Sequence, residues 1–397
     1  MSLTSLTEQE QTVVPQAEGT EDRLCTYPVH VVGIGAAVPS DRLTNQALET
    51  MVDTSDEWIR TRTGIRERRI APAPLASSDL GFAAARVALE QAGVTPADLD
   101  EIIVATVTPD YQFPSTACLL AARLGLVGIP AFDLAAGCSG LMYAIEQACQ
   151  AIRSGSRRTV LVVAAETLSR VVNFHDRRTC VLFGDGAAAL VLQRASLQDE
   201  PGILATNLGS DGRGAHLLVV PAGGSRLPAS SQTIAQGLHY LQMSGSEVFK
   251  FAVRVMEEST RLVVARAGLR VEDIDCFIPH QANVRIIQAA AERLGLPAER
   301  IMVNVDRYGN TSAASIGLAL VEAYQQGRLH PGDVVVMTGF GTGLTWGSVA
   351  LRWTAPPPTP EQVRTLVYQA TAADAAEALG TPPACPSPLP GESKNGV

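Results

Sequence analysis

The chain has 397 residues, 46% hydrophobic and 18% charged, enough apolar material for one large α/β body or two domains. Its 31 basic residues face 40 acidic ones, a net charge of −9, so it lacks the basic balance expected of a nucleic-acid binder. Only Lys250 and Lys394 are lysines, which leaves no Gly-Lys-Ser/Thr phosphate loop and no evident anchor for a pyridoxal Schiff base.

Residues 1–27 carry Glu8, Glu10, Glu18, Glu21 and Asp22 against Arg23 alone. They read as a disordered tail and lack the apolar stretch of a signal peptide. No apolar run reaches the roughly 18–20 residues of a membrane span. The seven cysteines stand singly, with no C-x-x-C, the pattern of a reduced cytoplasmic protein.

From residue 28 onward, apolar runs predict strands at 29–36, 101–107, 131–136, 159–165, 187–192, 275–278, 334–338 and 345–352. Leu141, Ile145, Ala148, Cys149 and Ile152 recur at helical steps. Strands alternating with helices predict an α/β fold with mostly buried sheets. The body also echoes itself. Ala92-Gly93-Val94 returns as Ala267-Gly268-Leu269, Arg123-Leu124-Gly125-Leu126 as Arg293-Leu294-Gly295-Leu296, and Gly137-Cys138-Ser139 as Gly309-Asn310-Thr311. Ordered echoes at nearly constant offset predict two similar halves, 28–200 and 201–353, whose equivalent turns meet near a pseudo-twofold axis. Residues 354–397 hold nine of the 24 prolines and read as a Pro/Ala-rich solvated tail, in which Glu361–Leu379 could form one helix.

Three residues stand where chemistry could gather. Cys138 follows an apolar strand and precedes an amphipathic helix, where the helix dipole would stabilise a thiolate and lower the thiol pKa. The plainer reading is an inert buried cysteine in a tight strand-to-helix turn. His280, in Pro279-His280-Gln281-Ala282-Asn283, sits at a strand end before a helix, though a lone histidine is commonly structural. Asn310 precedes a helix and by itself reads as an N-cap, but the internal echo makes it the counterpart of Cys138. Cys, His and Asn do not form a usual metal set. Gly339-Phe340-Gly341-Thr342-Gly343 is a strand-end turn whose N–H groups could approach a ligand. Trp58 and Arg62 could stack an adenine and pair phosphates, or simply end a helix.

Together with Ser55-Asp56-Glu57-Trp58, Arg62–Arg68, Leu182-Phe183-Gly184-Asp185-Gly186, Gly309–Ser315 and Gly339–Ser348, these motifs resemble the β-ketoacyl-acyl carrier protein synthase III enzymes of the thiolase fold, over about residues 28–353. The resemblance implies a duplicated thiolase-like α/β fold, with central mixed sheets layered between helices. It implies a Cys138–His280–Asn310 triad and no cofactor, with acyl-CoA as a substrate. By the same resemblance, Trp58, Arg62 and Arg177 would hold coenzyme A, and Asn283, Phe340 and Thr342 would line the substrate path. Phe113 would reach the partner subunit's acyl pocket in a homodimer. Gln281, Ala282, Asn283, Val284 and Arg285, with Lys250, would face malonyl-acyl carrier protein. The implied reaction is decarboxylative condensation that begins fatty acid synthesis. The turn reads Gly-Thr-Gly where the family often has three glycines. Other expectations remain beside it: acyl transfer to a hydroxyl or amine, or a non-catalytic acyl-CoA or carrier-protein binding module. A degradative thiolase would need a second cysteine in the 339–343 turn, and an elongating synthase a second histidine in place of Asn310.

Overall fold

The computed structural model describes residues 26–376. The expected N-terminal tail, and the chain after 376, lie almost wholly outside them. Ten strands matter to the site: β1 (Val29–Pro39), β2 (Glu101–Ala105), β3 (Ala131–Leu134), β4 (Thr159–Thr167), β5 (Asp185–Arg194), β6 (Ile203–Ser210), β7 (Cys276–Pro279), β8 (Val334–Gly341), β9 (Thr345–Arg352) and β10 (Val367–Ala370). The helices that frame the site and cover the sheets are α1 (Asp56–Thr63), α2 (Ser77–Ala92), α3 (Thr116–Arg123), α4 (Gly140–Arg153), α5 (Gly245–Arg266), α6 (Val284–Leu294), α7 (Ala314–Gln325) and α8 (Pro360–Thr365).

One mixed sheet runs β10-β1-β5-β4-β2-β3 and the other β7-β8-β9-β6. Helices α4 and α7 fill the space between them. Leu141, Ile145 and Ile152 of α4 and Ile316, Leu320 and Val321 of α7 join one buried cluster with the inner faces of both sheets. Each such Leu or Ile contributes about 1.5–3 kcal/mol on burial. Helix α7 is apolar nearly all round because it has no solvent face. Helices α2 and α3 cover the outer face of the first sheet, and α5 and α6 that of the second. The result is α–β–α–β–α, the layering the resemblance implies.

The duplication explains the ends of α4 and α7. Each is the inner helix of its half, and each is preceded by a turn built on a left-handed glycine: Gly137 at φ +56° and Gly309 at φ +64°. A Cβ on Gly137 would lie 2.7 Å from Thr342 N, and one on Gly309 2.7 Å from Leu182 O, so both positions need glycine twice over. These two turns set Cys138 and Asn310 at matching ends of the middle layer.

The C-terminal segment departs from expectation. It is neither a solvated tail nor one long helix as far as residue 376. Thr359 caps the short α8, and the chain then adds β10 in parallel to β1, with Ala36 opposite Val367 and Pro39 opposite Ala370. Ala36 N–H donates to Leu366 O (2.9 Å), and Ser40 N–H to Ala370 O (2.7 Å). Leu366 and Ala370 are buried. Arg69 donates to Gln369 Oε1, and Ala376 N–H to Asp79 Oδ1. The physical reason is the edge of β1, whose backbone groups and apolar flank would otherwise face water.

Candidate active site

Cys138 lies in the 3₁₀ turn Gly137–Ser139 just before α4 and is buried. His280 follows β7, its N–H donating to Thr338 O (2.8 Å). Asn310 is clamped by its backbone: its N–H donates to Leu182 O (2.8 Å), and its carbonyl accepts from Gly184 N (3.0 Å). The Leu182–Gly184 segment therefore holds Asn310 in place. A cavity of about 170 Å³ is lined by Cys138, His280 and Asn310, with Phe340, Asn283 and Phe249. Cys138 also borders a second, apolar cavity of about 210 Å³, lined by Leu168, Val171, Leu218, Val220, Leu241 and Thr342. The cysteine thus stands between a space with hydrogen-bond donors and a space suited to a hydrocarbon.

Side-chain partners fix what each group can donate. His280 Nδ1 lies 2.6 Å from Ser315 Oγ, which itself accepts the Gln281 N–H. With the Ser315 hydroxyl donating to Nδ1, the imidazole proton resides on Nε2 and is free to donate. Burial pushes the His280 pKa down to about 3, so the ring is neutral near neutral pH. Phe340 packs edge-on against it, with ring centroids 5.1 Å apart. Asn310 Oδ1 accepts the Ser312 N–H (2.8 Å), which leaves the Nδ2 hydrogens to donate. The amide is not the N-cap of α7, since that position is Ala313.

One electrostatic expectation is overturned. Burial pushes the Cys138 thiol up to about 12 instead of letting the helix lower it. Desolvation of the charged form opposes the helix N-terminus here. The resting cysteine is a thiol.

The other expected residues divide. Trp58 of α1 and Arg177 meet each other, the guanidinium 5.1 Å above the indole while also bonding Asp53 O (2.8 Å), and neither lines the two cavities. Arg62 is exposed, and its carbonyl accepts from Asn283 Nδ2 (3.1 Å), joining α1 to α6. Asn283 also caps α6 and lines the triad cavity. Thr342 donates to Leu218 O and borders the apolar cavity, so the threonine in this turn ties it to the loop that walls the pocket. Lys250 and Arg285 are exposed, with Arg285 over the Phe249 ring at 5.7 Å. Ala282 and Val284 are half-buried beside them. Phe113 is 84% exposed and outside both cavities.

Gln281 does not face outward. It is buried, donating to Pro279 O (2.8 Å) and Met302 O (3.1 Å) and accepting from Asn304 N (2.9 Å) and Val305 N (3.2 Å). Its amide satisfies four backbone groups, so it braces the loop instead of meeting a carrier protein. Sequence reasoning also gave no role to Ser312, Ser315 or Glu166. Glu166 did leave a signal: it is an acid closing the otherwise apolar run Val160–Ala165.

Comparisons with known proteins show the family. Residues 264–353 match the family model described as 3-oxoacyl-[acyl-carrier-protein (ACP)] synthase III C terminal, and residues 132–212 that of 3-oxoacyl-[acyl-carrier-protein (ACP)] synthase III. The chain is 59% identical over 326 residues to the β-ketoacyl-[acyl-carrier-protein] synthase III of Symbiobacterium thermophilum, covering 82% of this chain and 98% of the relative. The crystal structure of 3-oxoacyl-[acyl-carrier-protein] synthase III from Aquifex aeolicus VF5 is 48% identical, with a TM-score of 0.76, covering 82% of this chain and 100% of that one. The priming β-ketosynthase of the R1128 polyketide biosynthetic pathway is 38% identical, with a TM-score of 0.77 over 84% of this chain and 98% of that one. At this identity and coverage, and with the same layered fold, the chain belongs to the β-ketoacyl-[acyl-carrier-protein] synthase III family.

Proposed function

We propose that this enzyme condenses an acyl-CoA primer with malonyl-acyl carrier protein, giving a β-ketoacyl-carrier protein and starting fatty acid synthesis. The observation that carries the reading is Cys138 set between an apolar cavity and one lined by His280 and Asn310. In the first half-reaction Cys138 Sγ attacks the acyl thioester, and the acyl chain enters the apolar cavity. Backbone N–H groups of Cys138 and Thr342 receive the oxyanion. In the second, malonyl thioester loses CO₂, and its carbonyl oxygen becomes enolate-like. His280 Nε2–H and Asn310 Nδ2–H both donate to that oxygen. A neutral pair suits this task, because a carboxylate there would repel the developing charge.

Trp58, Arg62 and Arg177 hold the nucleotide of coenzyme A. Arg177 now covers the Trp58 face, so an adenine entering between them must move the guanidinium outward to leave two stacking contacts of about 3.5 Å each. Lys250 and Arg285 flank Phe249 at the cavity mouth and steer the acidic carrier protein. Homodimerisation is supported by the free edge of β3 and by exposed Phe113, Val127 and Phe132. Five described cysteines, Cys118, Cys138, Cys149, Cys180 and Cys276, are unbridged, which suits the cytoplasm. Among the described residues no helix is long and apolar enough to cross a membrane.

The test is to supply acyl-CoA and malonyl-carrier protein together and identify the product by mass. A β-ketoacyl-carrier protein with CO₂ release is expected. Acyl transfer to a hydroxyl or amine acceptor without CO₂, or no turnover at all, would overturn the reading.

A further inference from the structure

The family match ends at residue 353, and the chain goes on. The segment that follows pairs β10 with β1, and it also ties back to α2. Asp79, near the start of α2, accepts from the Ala376 N–H (2.8 Å) and from the Arg123 guanidinium (2.6 Å), and Arg123 Nη2 reaches Asp374 O (3.4 Å). Between these ties and α8 the segment and α2 frame a cavity of about 610 Å³, against about 170 and 210 Å³ for the two beside Cys138. That is the size of a small-molecule site. It shares no residue with either cavity at Cys138.

The two walls come from different segments. Helix α2 presents Phe82, Arg86 and Val87, and the C-terminal segment Arg364 and Tyr368. The acids of the cavity are taken up by the fold. Asp79 is buried, its carboxylate satisfied by Arg123 and by the Ala76 and Ala376 N–H groups. Asp374 accepts from Tyr368 Oη (2.7 Å), Thr371 N (2.8 Å) and Thr371 Oγ1 (3.1 Å). Arg86 and Arg364 are exposed, one on each wall, and neither has an ion-pair or hydrogen-bond partner among the described residues. Glu90, one turn beyond Arg86, also borders a smaller cavity of about 310 Å³ together with Glu361. The seam between α2 and the segment therefore has a cationic end and an acidic end. The Tyr368 ring stands at the cationic end, 37% exposed and held in place by its bond to Asp374. One surface arginine is ordinary. Two that line one cavity from separate segments, beside a fixed aromatic ring, make a place for an anion with a flat or apolar body.

We propose that this cavity binds a small phosphomonoester, with its phosphate between Arg86 and Arg364 and its flat or apolar part on Tyr368 and Val87. Two guanidinium groups match a phosphate dianion in charge, and each can meet it with paired N–H donors. The volume exceeds what free phosphate fills, which favours an organic phosphate. Such a ligand touches α2 and the C-terminal segment together, so binding holds the segment against the β1 edge.

The experiment titrates adenosine monophosphate, a phosphate joined to a flat ring, into the full chain by calorimetry, with inorganic phosphate and adenosine as comparison probes. Trp58 and Arg177 are a second place for a nucleotide, so the titrations are run on the wild type and on Arg177→Ala. Adenosine monophosphate should bind both proteins, and in Arg177→Ala it should bind about tenfold or more tighter than either fragment. Adding Arg86→Ala, or separately Arg364→Ala, to Arg177→Ala should weaken it by about tenfold or more, the usual cost of losing a hydrogen bond to a charged group. Arg86 and Arg364 are exposed, so either substitution alone should leave melting and Cys138 acylation as in the wild type. Binding that is lost in Arg177→Ala but kept in Arg364→Ala belongs to the coenzyme A site and overturns the proposal. Equal affinity for inorganic phosphate, an adventitious ion only, overturns it as well, as does the absence of any heat. The wild type gives an independent reading: hydrogen exchange of the backbone amides at 364–370 should slow when adenosine monophosphate is bound, and unchanged exchange overturns the proposal whatever the heats show.

Discussion

Gly341→Ala probes how tightly the turn after β8 seats the nucleophile. A Cβ at this position would overlap the Cys138 backbone nitrogen and come within 3.0 Å of Gly137 C and 3.2 Å of Cys138 Cα. All three are backbone atoms, so no side chain can swing aside to make room. Relieving the overlap parts the two turns by about 1 Å, a misplacement that costs about 100-fold in rate. That corresponds to about 2.7 kcal/mol of transition-state stabilisation. Gly224→Ala is the control, because its Cβ would meet nothing within 4 Å. The assay is rapid-quench mass measurement of acyl-Cys138, with thermal melting of both variants. Gly341→Ala should melt cooperatively and acylate about 100-fold more slowly, while the control matches the wild type. Wild-type acylation by Gly341→Ala would refute the view that this turn and the nucleophile form one rigid unit.

Other outcomes follow from the same geometry. Asn310→Ala should slow CO₂ release from malonyl-carrier protein by about 100- to 1000-fold, the usual cost of one preorganised donor, and acylation much less; release at the wild-type rate would mean that Asn310 only shapes its turn. Arg285→Glu should weaken use of malonyl-carrier protein more than acylation by acyl-CoA, and the gap should narrow with salt; equal loss in both half-reactions would remove Arg285 from the docking surface. Ending the chain after Pro358 removes β10 and uncovers the β1 edge. Burial of Leu366 with its neighbours suggests a loss of about 2–3 kcal/mol and a melting temperature lower by about 3–4 °C. Acylation should be unchanged, because Cys138 follows β3 at the opposite edge of the sheet.

Much of this architecture was visible in apolar runs, and the exceptions have physical causes. Strand β6 escaped notice because its face toward α5 includes Asn207, whose amide donates to Ser259 Oγ (2.9 Å), part of a buried polar chain with Ser348. Strand β10 is only four residues long and lies within a Pro- and Ala-rich tail. It exists because the β1 edge offers partners, a tertiary effect that no local window contains. Cys138, His280 and Asn310 could be singled out by motif and by the internal echo. Burial could not, and it decides two assignments: it turns Gln281 from a docking residue into a brace and Cys138 from a thiolate into a thiol.

The central claim is that the acyl group on Cys138 is the one that condenses. It is tested most directly by a single turnover: acylate the enzyme with isotope-labelled acyl-CoA, remove excess, locate the label by peptide mass, then add malonyl-carrier protein. The label should sit on the Cys138 peptide, be absent in Cys138→Ala, and move to the β-keto carbonyl with one CO₂ released per acyl group lost. Label on another residue, or its departure without CO₂, would contradict the account.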